Sequence, residues 1–361
     1  MPLVRPFRTS FGVQTARDVL LVHLVDDAGH EGWGECVTTA APLYSDEFTD
    51  GAALVLRDHL LPTVLDGTPL DAVALPHRLR RFHGHRMAKA ALELAAWDLQ
   101  LRQAGVSLAD HLGVAVDRVS AGVSVGIPEG GTAALVEQVH GHLDEGYRRI
   151  KCKVEPGFDV APLAAVRAAI GDEVPLQVDA NAAYDPDDPA HVRALDGLDE
   201  LGLQLLEQPF APRRLDAHAH HARRWRTPVC LDESVEDVRD AVTAVETGAA
   251  AIVNIKVGRV GGLVEAVGVH DACRSRGVPV WCGGMLETGI GRTSNVALAG
   301  LPGFTLPGDT SASARYFAHD LTAPFVLDDG QLAVDRTPGA ARAPDPQRLA
   351  AWTTSRTPVP A

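Results

Sequence analysis

The amino-acid sequence predicts an α/β protein that contains a β/α barrel. Short apolar runs typical of strands recur about every 25 residues from Ser120 onward, and helix-like stretches separate them. Five consecutive runs end on a charged residue or just before one, at intervals of 26, 28, 25 and 24 positions. These residues are Lys153, Asp179, Glu207, Asp232 and Lys256. The chain has 361 residues, more than the about 250 that one barrel needs, so we expect a second domain.

The second domain is expected over residues 1–115, where strands are followed by helices instead of alternating with them. Residues 18–37 predict a β-hairpin, because two apolar runs (DVLLVHLVDD and HEGWGECV) flank a turn and carry glycines at the bends. Residues 51–65 and 85–105 predict helices, since apolar residues recur at positions i, i+3 and i+4. We expect Gly105 to cap the second helix.

The barrel is expected over residues 116–314. Its strand-like runs are continuously apolar and do not alternate, as strands covered on both faces must be. Eight such runs with helix-like stretches between them suit a compact barrel. The predicted strands lie near residues 120–125, 149–154, 174–179, 203–207, 228–232, 251–256, 278–282 and 304–308.

The last segment, residues 315–361, is rich in proline and alanine and has no barrel rhythm. The run FVLDDGQLAV (325–334) predicts a hairpin within it. We expect this segment to return and pack on the N-terminal domain.

The composition excludes several classes of function. The formal net charge of −14 argues against nucleic acids and anionic membranes as partners. The apolar runs are far shorter than the ~20 residues of a membrane span, and the first residues lack the apolar region of a secretion signal. The five cysteines are isolated and odd in number, which is typical of a reducing compartment. We therefore expect a cytoplasmic protein without a nucleic-acid or membrane partner.

Three carboxylates at barrel spacing predict a metal site. In a β/α barrel the carboxyl ends of the strands converge on one mouth, so Asp179, Glu207 and Asp232 should meet there. Any one of them could instead cap the following helix, but all three at this spacing make that alternative less attractive. Oxygen-only ligands favour magnesium, manganese or a similar hard cation over zinc, and leave positions open for a substrate carboxylate.

Three lysines are the candidate acid–base groups. Lys151 and Lys153 alternate along one strand and therefore point to the same side, whereas Lys256 lies across the barrel. A neighbouring Lys151 ammonium and a divalent cation both favour the neutral amine of Lys153, which is the form that a base needs. The alternative is that these lysines are salt-bridge partners of the acidic cluster, a structural role that suits Lys151 best.

Two further patterns are less specific. The run GIGRTSN (289–295) lacks the last glycine of a dinucleotide-binding fingerprint, so its glycines are expected to let backbone approach a ligand at a helix N-terminus. His218, His220 and His221 lie in a polar, arginine-rich helix and are expected to be solvated.

The motifs resemble the muconate-lactonising-enzyme subgroup of the enolase superfamily. Within it, the sequence is most similar to the o-succinylbenzoate synthase / N-acylamino acid (N-succinylamino acid) racemase family. The motifs are KxK (151–153), VDAN (178–181), EQP (207–209), DES (232–234) and NIKxGRVGG (254–262). Further matching segments run over nearly the whole chain: RTSFG (8–12), EGWGEC (31–36), PLYS (42–45), GHRMAKAALE (84–93), GVSVGI (122–127), GYRRIKCKVEPGFD (146–159), VWCGGMLETGIGR (280–292) and LPGDTSAS (306–313).

The resemblance implies a (β/α)7β barrel with an α+β capping domain built from the N-terminal and C-terminal segments. It implies metal ligands, an acid–base pair and an assisting residue: Asp179, Glu207 and Asp232; Lys153 and Lys256; and Lys151. It also implies substrate-binding residues: Ser124, Asn181, Gly284, Met285 and Leu286 line the pocket, and Phe7, Phe11 and Tyr44 belong to capping loops that close over it.

The activity implied by the resemblance is abstraction of the proton α to a carboxylate, through an enediolate and with Mg²⁺, for which Mn²⁺ or Co²⁺ can substitute. The substrates would be N-acyl or N-succinyl amino acids, which are racemised, or a cyclohexadiene carboxylate, which is dehydrated to o-succinylbenzoate in menaquinone biosynthesis. The resemblance also implies a homo-oligomer, such as an octamer.

Two departures from the family pattern bear on these expectations. Family members carry further N-terminal residues that form the first capping strand, whereas this chain begins at MPLVRPFRTS, so either the start is truncated or that strand is lost. The last barrel segment reads GDTS (308–311) instead of the D-x-D expected of related dipeptide epimerases.

Dipeptide epimerase and muconate cycloisomerase are the alternatives within the superfamily. A metal-dependent barrel lyase or aldolase, or a catalytically silent binding barrel, are alternatives outside it.

Overall fold

The computed structural model describes residues 1–359. Its N-terminal part combines antiparallel strand pairs with a layer of helices. The strands are β1 (Pro2–Thr9), β2 (Gly12–Ala16), β3 (Leu20–Val25) and β4 (Glu31–Cys36), paired β1 with β2 and β3 with β4. The helices are α1 (Thr49–Val55), α2 (Leu61–Val64), α3 (Leu75–Leu79), α4 (Arg86–Ala104) and α5 (Leu108–His111), with a π-helical turn at Leu56–Leu60 between α1 and α2.

The predicted hairpin and both predicted helical regions are confirmed. Strands β3 and β4 pair antiparallel in continuous register. Gly105 ends α4 with a φ of +68°, a conformation that glycine adopts without strain. A strand, β1, is present at the start of the chain.

The close packing of β4 on α4 explains the two glycines of the EGWGEC run. A Cβ atom on Gly32 would lie 2.3 Å from the carbonyl oxygen of Ala95, and one on Gly34 would lie 1.9 Å from that of Ala91. Only a hydrogen in place of the side chain lets the strand approach the helix backbone this closely.

The barrel follows. Its strands, with the short β5 that precedes them, are β5 (Arg118–Ser120), β6 (Val123–Val125), β7 (Ile150–Lys153), β8 (Leu176–Asp179), β9 (Leu205–Glu207), β10 (Val229–Leu231), β11 (Ile252–Ile255) and β12 (Val280–Cys282). The helices are α6 (Gly131–Asp144), α7 (Val160–Ile170), α8 (Pro189–Asp199), α9 (Leu215–Ala222), α10 (Val238–Glu246), α11 (Val257–Val260), α12 (Leu263–Ser275) and α13 (Gly289–Ala299). Within the described residues, β6 to β12 form one seven-stranded parallel sheet in chain order. The predicted α/β fold class is confirmed.

The prediction of an eighth strand at residues 304–308 is wrong. Phe304 and Gly308 form single parallel bridges to the two edges of the sheet, and these bridges close the barrel. Pro307 lies between them and has no N–H to donate to a ladder, while its carbonyl oxygen accepts hydrogen bonds from the Arg149 side chain. The closing segment therefore contacts both neighbours without being a regular strand.

The C-terminal segment contains β13 (Gln331–Ala333) and α14 (Pro346–Trp352). The predicted hairpin over residues 325–334 is present only as a tight turn, in which Asp328 and Gln331 form a single antiparallel bridge, and β13 pairs antiparallel with β5 of the distant barrel entry. The segment then reaches α4, where Asp98 accepts hydrogen bonds from the backbone N–H groups of Ala340 and Ala341. The expected return to the N-terminal part is present, and the domain boundaries stay a prediction.

The described residues contain no helix that is both long and apolar enough to cross a membrane. The five cysteines are buried and free. Burial raises the pKa of the Cys36 and Cys152 thiols to about 12, so these side chains pack as small apolar groups.

Buried carboxylates of the N-terminal part cap helices of the barrel. Glu93 on α4 accepts a hydrogen bond from the backbone N–H of Val264 at the start of α12. Glu35 on β4 accepts from the backbone N–H groups of Thr288 and Gly291 at the start of α13. Helix N-termini carry unpaired N–H groups and partial positive charge, so these contacts hold the two layers in one relative position.

Replacing Gly262 by alanine is expected to weaken this interface. Gly262 has a φ of +138°, and a Cβ atom there would lie 1.7 Å from a carboxylate oxygen of Glu93. Gly262→Ala should lower the free energy of unfolding by on the order of 3 kcal/mol, and the control Gly277→Ala by about 1 kcal/mol. The control glycine also has a positive φ, +69°, but no atom within 4 Å of the added carbon. Urea unfolding measures both changes, and equal losses would contradict the steric role of Glu93.

Candidate active site

Most of the predicted site residues line one pocket, the barrel pocket, at the carboxyl ends of the barrel strands. Asp179, Glu207 and Asp232 do not line it, but each contacts one of its lysines. The predicted residues that line it are Phe7, Phe11, Tyr44, Ser124, Lys151, Lys153, Asn181, Lys256, Gly284, Met285 and Leu286. The sequence has four lysines, and three of them lie here. Residues to which the sequence analysis gave no role also line it: Thr9, Gln14, Arg17, Thr39, Asp309 and Tyr316.

Lys153 and Lys256 belong to opposite sides of this pocket. Lys153 ends β7 and Lys256 directly follows β11, with β8, β9 and β10 between them in the sheet. The Lys153 Nζ lies 2.5 Å from Asp179 Oδ2, and the Lys256 Nζ lies 2.8 Å from Asp232 Oδ2. Each amine therefore has its own carboxylate partner, and both are buried.

Lys151 is the most heavily paired of the three lysines. Its Nζ lies 2.7 Å from both Glu207 Oε2 and Asp309 Oδ2, and 3.2 Å from Asp179 Oδ2. Burial alone lowers the pKa of Lys151, but these carboxylates outweigh it and raise that pKa well above its ordinary value. A permanently charged Lys151 fits the salt-bridge role that the sequence left open for it.

Strand register explains why these groups meet. Lys153 stands opposite Asp179 on the neighbouring strand, and Asp179 stands opposite Glu207 on the next. Cys230 stands opposite Glu207, so Asp232, two residues further on, continues the same row past the end of β10. The row is buried, with at most 1% of each of the three acidic residues exposed.

Several supporting residues could not be assigned from the sequence. The Asn254 amide donates to Glu207 Oε1 at 2.6 Å, and the Arg259 guanidinium pairs with Asp232. Asp309 bridges Lys151 and Arg149, at 2.7 Å from each. The motifs NIKxGR and GDTS contain these residues, but nothing local in the sequence indicates which distant side chain each one contacts.

Several non-glycine residues that follow barrel strands have left-handed backbone. Asn181, Gln208 and Leu286 follow barrel strands and have φ values of +43°, +39° and +61°. Left-handed backbone in non-glycine residues costs free energy and persists where the surrounding contacts impose it. Asn181 accepts a hydrogen bond from the Lys153 Nζ at 2.8 Å and donates one to Glu233 Oε1 at 3.0 Å. These bonds hold the loop that follows β8.

The carboxylate row fits a hard divalent cation by its donor chemistry, because carboxylate oxygens are the ligands that Mg²⁺ prefers. Among residues 1–359, no three His, Cys, Asp or Glu side chains are grouped closely enough to hold a metal ion. The carboxylates of Asp179, Glu207 and Asp232 are hydrogen-bonded to lysines instead. Within the described residues, the neighbouring Glu233 also has a buried oxygen, Oε2, that accepts no hydrogen bond. The roles of these residues as metal ligands stay a prediction.

The helix that follows β12 does not offer its N-terminus to a ligand. The backbone N–H of Gly289 donates to Asp320 Oδ1, and that of Gly291 donates to Glu35 Oε2. The expectation of a ligand at the GIGRTSN run is therefore wrong, since protein carboxylates already cap this helix.

The expectation of solvated histidines is wrong for His218 and His221, which are buried. His218 Nε2 accepts a hydrogen bond from the backbone N–H of Phe210. Burial lowers the pKa of His218 to about 4, so this ring is neutral and structural.

A parallel barrel, a strand-and-helix cap and a buried pocket that contains lysines are typical of an α/β-barrel enzyme. Residues 134–348 match the family "Enolase C-terminal domain-like", and residues 1–113 match "Mandelate racemase / muconate lactonizing enzyme, N-terminal domain". The chain therefore belongs to the enolase superfamily, and the resemblance seen in its motifs is confirmed.

Individual relatives cover almost the whole chain. An N-succinylamino acid racemase from Amycolatopsis sp. is 54% identical over 356 residues, which are 99% of this chain and 95% of that protein. An o-succinylbenzoate synthase from Geobacillus kaustophilus is 43% identical over 340 residues, 94% of this chain and 89% of that protein. The crystal structure of an enolase-superfamily member from Listeria innocua has a TM-score of 0.92 at 35% identity, covering 98% of this chain and 95% of that one.

The Glu35 cap predicts a pH dependence of stability. Burial raises the pKa of Glu35 to about 7, whereas the unfolded side chain titrates near its ordinary value of about 4.3. Between these two pH values the folded protein therefore binds more protons than the unfolded protein. The contribution of Glu35 to the free energy of unfolding is full below the pKa of the unfolded side chain and is lost as the pH rises through about 7. Relative to Glu35→Gln, which does not titrate, the wild-type protein should lose on the order of 2 kcal/mol of unfolding free energy between pH 5 and pH 8.

Urea unfolding at several pH values measures this difference, and the pH dependence of all other groups cancels in the comparison. Glu173→Gln, at an exposed position that forms no ion pair within the described residues, is the control and should show no such trend. A pH-independent difference between wild type and Glu35→Gln would contradict the titration of Glu35 in this range.

Proposed function

We propose that this enzyme moves the proton α to a carboxylate, and that it racemises N-succinylamino acids, forms o-succinylbenzoate by dehydration, or does both. The observation that carries the proposal is the pair of buried amines, Lys153 and Lys256, on opposite sides of one pocket. Relatives that cover nearly the whole chain bear the names of both activities. One arrangement of groups supports both reactions.

Racemisation needs a base on one face of the α-carbon and an acid on the other. In one direction a neutral Lys153 removes the α-proton, and the Lys256 ammonium delivers a proton to the opposite face. In the other direction the two lysines exchange roles. Lys153 also donates to Asn181 Oδ1 and Lys256 to the Tyr44 hydroxyl, so each amine has a neutral partner that can hold it in position while its protonation state changes.

Dehydration uses the same groups differently. Lys153 removes the α-proton from the cyclohexadiene carboxylate, and the Lys153 ammonium so formed gives that proton to the hydroxyl group, which leaves as water. Lys256 stays an ammonium group and stabilises the ring and its developing charge by a cation–π contact. Its Nζ already lies 4.6 Å from the centre of the Tyr44 ring, so this position suits a cation beside an aromatic face.

Members of the superfamily generally use a divalent metal ion. We propose that Asp179, Glu207 and Asp232 hold it here, and that the ion is Mg²⁺, with Mn²⁺ or Co²⁺ as substitutes. When bound, the cation stabilises the negative charge that develops on the substrate carboxylate as the enediolate forms. Phe7, Phe11 and Tyr44 contribute apolar surface that excludes water from the same pocket.

Dipeptide epimerisation is less well supported. An enzyme with this activity is expected to carry D-x-D on the last barrel segment. Here Asp309 is already paired with Lys151 and Arg149, and Ser311 stands where a second carboxylate would be.

Each catalytic lysine is expected to be essential for racemisation. Lys153→Ala and Lys256→Ala should each lose on the order of 10²–10⁴-fold or more in kcat, the range for positioned acid–base groups. Each variant should still exchange the α-proton of one enantiomer with deuterated solvent, because one base remains on one face. Polarimetry and NMR measure the two processes.

The control is Lys89→Ala, which removes the lysine outside the barrel pocket and should leave the rate near the wild-type value. Near-normal racemisation by either pocket variant would rule out the two-base assignment.

Removal of divalent cations is expected to abolish activity. After dialysis against EDTA the enzyme should be inactive with both N-succinylamino acids and the cyclohexadiene substrate, and Mg²⁺, Mn²⁺ or Co²⁺ should restore it. Full activity after complete chelation would contradict the proposed role of the carboxylate row.

A further inference from the structure

Arg17 is a buried cation in the barrel pocket that the proposed mechanism does not use. It lies at the turn between β2 and β3, it is 2% exposed, and it lines the pocket beside Gln14 and Thr39. Its Nη2 donates to the backbone oxygen of Val37 at 3.2 Å, and its Nη1 donates to Gln14 Oε1 at 3.4 Å. Both contacts are neutral acceptors at long distances.

The Arg17 guanidinium has an unused donor. Within residues 1–359, its Nε is buried and has no hydrogen-bond partner, and no Asp or Glu side chain forms a salt bridge with it. The neighbouring carboxyl of Glu35 accepts hydrogen bonds from Thr288 and Gly291 instead. A buried charge without a partner costs several kcal/mol, so such a group is expected to meet an anion when the site is in use.

Two other buried arginines have ion-pair partners: Arg149 pairs with Asp309, and Arg259 pairs with Asp232. Arg292 resembles Arg17 in that, within the described residues, it has no ion pair and its buried Nε has no hydrogen-bond partner. It donates to two backbone carbonyls, however, and does not line the barrel pocket. Arg17 therefore combines a pocket position with an incompletely satisfied guanidinium.

We propose that Arg17 binds a second carboxylate of the substrate, the one at the end of its acyl arm. This assignment rests on the proposed function, in which the lysines and the carboxylate row act on the first carboxylate and its α-carbon. A guanidinium binds a carboxylate through charge-assisted hydrogen bonds that are stronger than those to neutral acceptors. The preferred substrates are then those with a succinyl or similar dicarboxylic arm, and N-acetylamino acids lack the group that Arg17 recognises.

An anchor at Arg17 also explains how one pocket can serve both proposed reactions. An N-succinylamino acid and the precursor of o-succinylbenzoate share the succinyl arm, although their reacting centres differ. An anchor for this arm on the N-terminal part leaves the barrel lysines free to act on either centre. Arg17 is therefore a specificity-determining residue and takes no part in proton transfer.

The test compares kcat/KM of wild type and Arg17→Met for the N-succinyl and N-acetyl derivatives of one amino acid. The variant should lose roughly 10–100-fold with the N-succinyl substrate, mainly through KM, the range for a hydrogen bond to a charged group. Its kcat/KM for the N-acetyl substrate should stay within about threefold of wild type, and Arg17→Lys should restore part of the N-succinyl activity. Arg5→Met, on the exposed part of β1, is the control and should change neither value.

Equal losses with both substrates, or no loss with either, would overturn the assignment of Arg17. A measurement on the wild-type protein decides the matter if Arg17→Met does not fold. The methyl ester of the succinyl arm has similar length but no charge, so it should bind at least about 10-fold more weakly than the free acid by calorimetry. Equal binding of ester and acid would refute the inference.

Failure of the proposed function has a different signature. It would appear as a wild-type enzyme that turns over neither the N-acylamino acids nor the cyclohexadiene substrate. Calorimetry with the acid and its ester still reports on Arg17 in that case, because it does not depend on turnover.

Discussion

The buried ion pairs at the carboxyl ends of β7 to β11 are the interaction on which the rest of the structure depends. Lys151 alone contacts Asp179, Glu207 and Asp309, and no more than 7% of any of these side chains is exposed. Removing such charges from water is costly unless every one has a close partner. A shift of one residue in the register of β8 would turn Asp179 away from the barrel interior and leave Lys151 and Lys153 without it. The charges thus select one strand register, and that register builds the pocket.

The second constraint is the attachment of the N-terminal part to the barrel. A pocket lined by Phe7, Tyr44 and the barrel lysines works only if the two layers keep one relative position. Glu35 and Glu93 achieve this by accepting hydrogen bonds from the first N–H groups of α13 and α12. Their burial is unfavourable for a charged carboxylate, and the helix N-termini offset part of that cost. The same contacts remove the start of α13 as a binding site for other anions.

The chemistry proposed for the pocket is general, and its selectivity must come from elsewhere. In the proposed mechanism, Lys153, Lys256 and the carboxylate row act on any acid with a removable α-proton, and relatives of this chain are named for different reactions. What distinguishes one substrate from another is the surface beyond the reacting carbon. The N-terminal part supplies much of that surface, including Gln14 and Arg17. A change of substrate can therefore evolve there without disturbing the buried ion pairs.

The fold class, the period of the strands and the polar residues that follow them could be predicted from the sequence, because each depends on short-range patterns of apolar and charged residues. Those patterns were sufficient to place Asp179 and Lys256 at one mouth of the barrel. The closing segment at Pro307, the pairing of β13 with β5 and the partner of the α13 N-terminus were decided only in three dimensions. Glu35 precedes Thr288 by 253 residues, and no local pattern reports such a contact. The same reason hid Asp309 and Arg17: a side chain's role as a partner is set by the groups that folding brings around it.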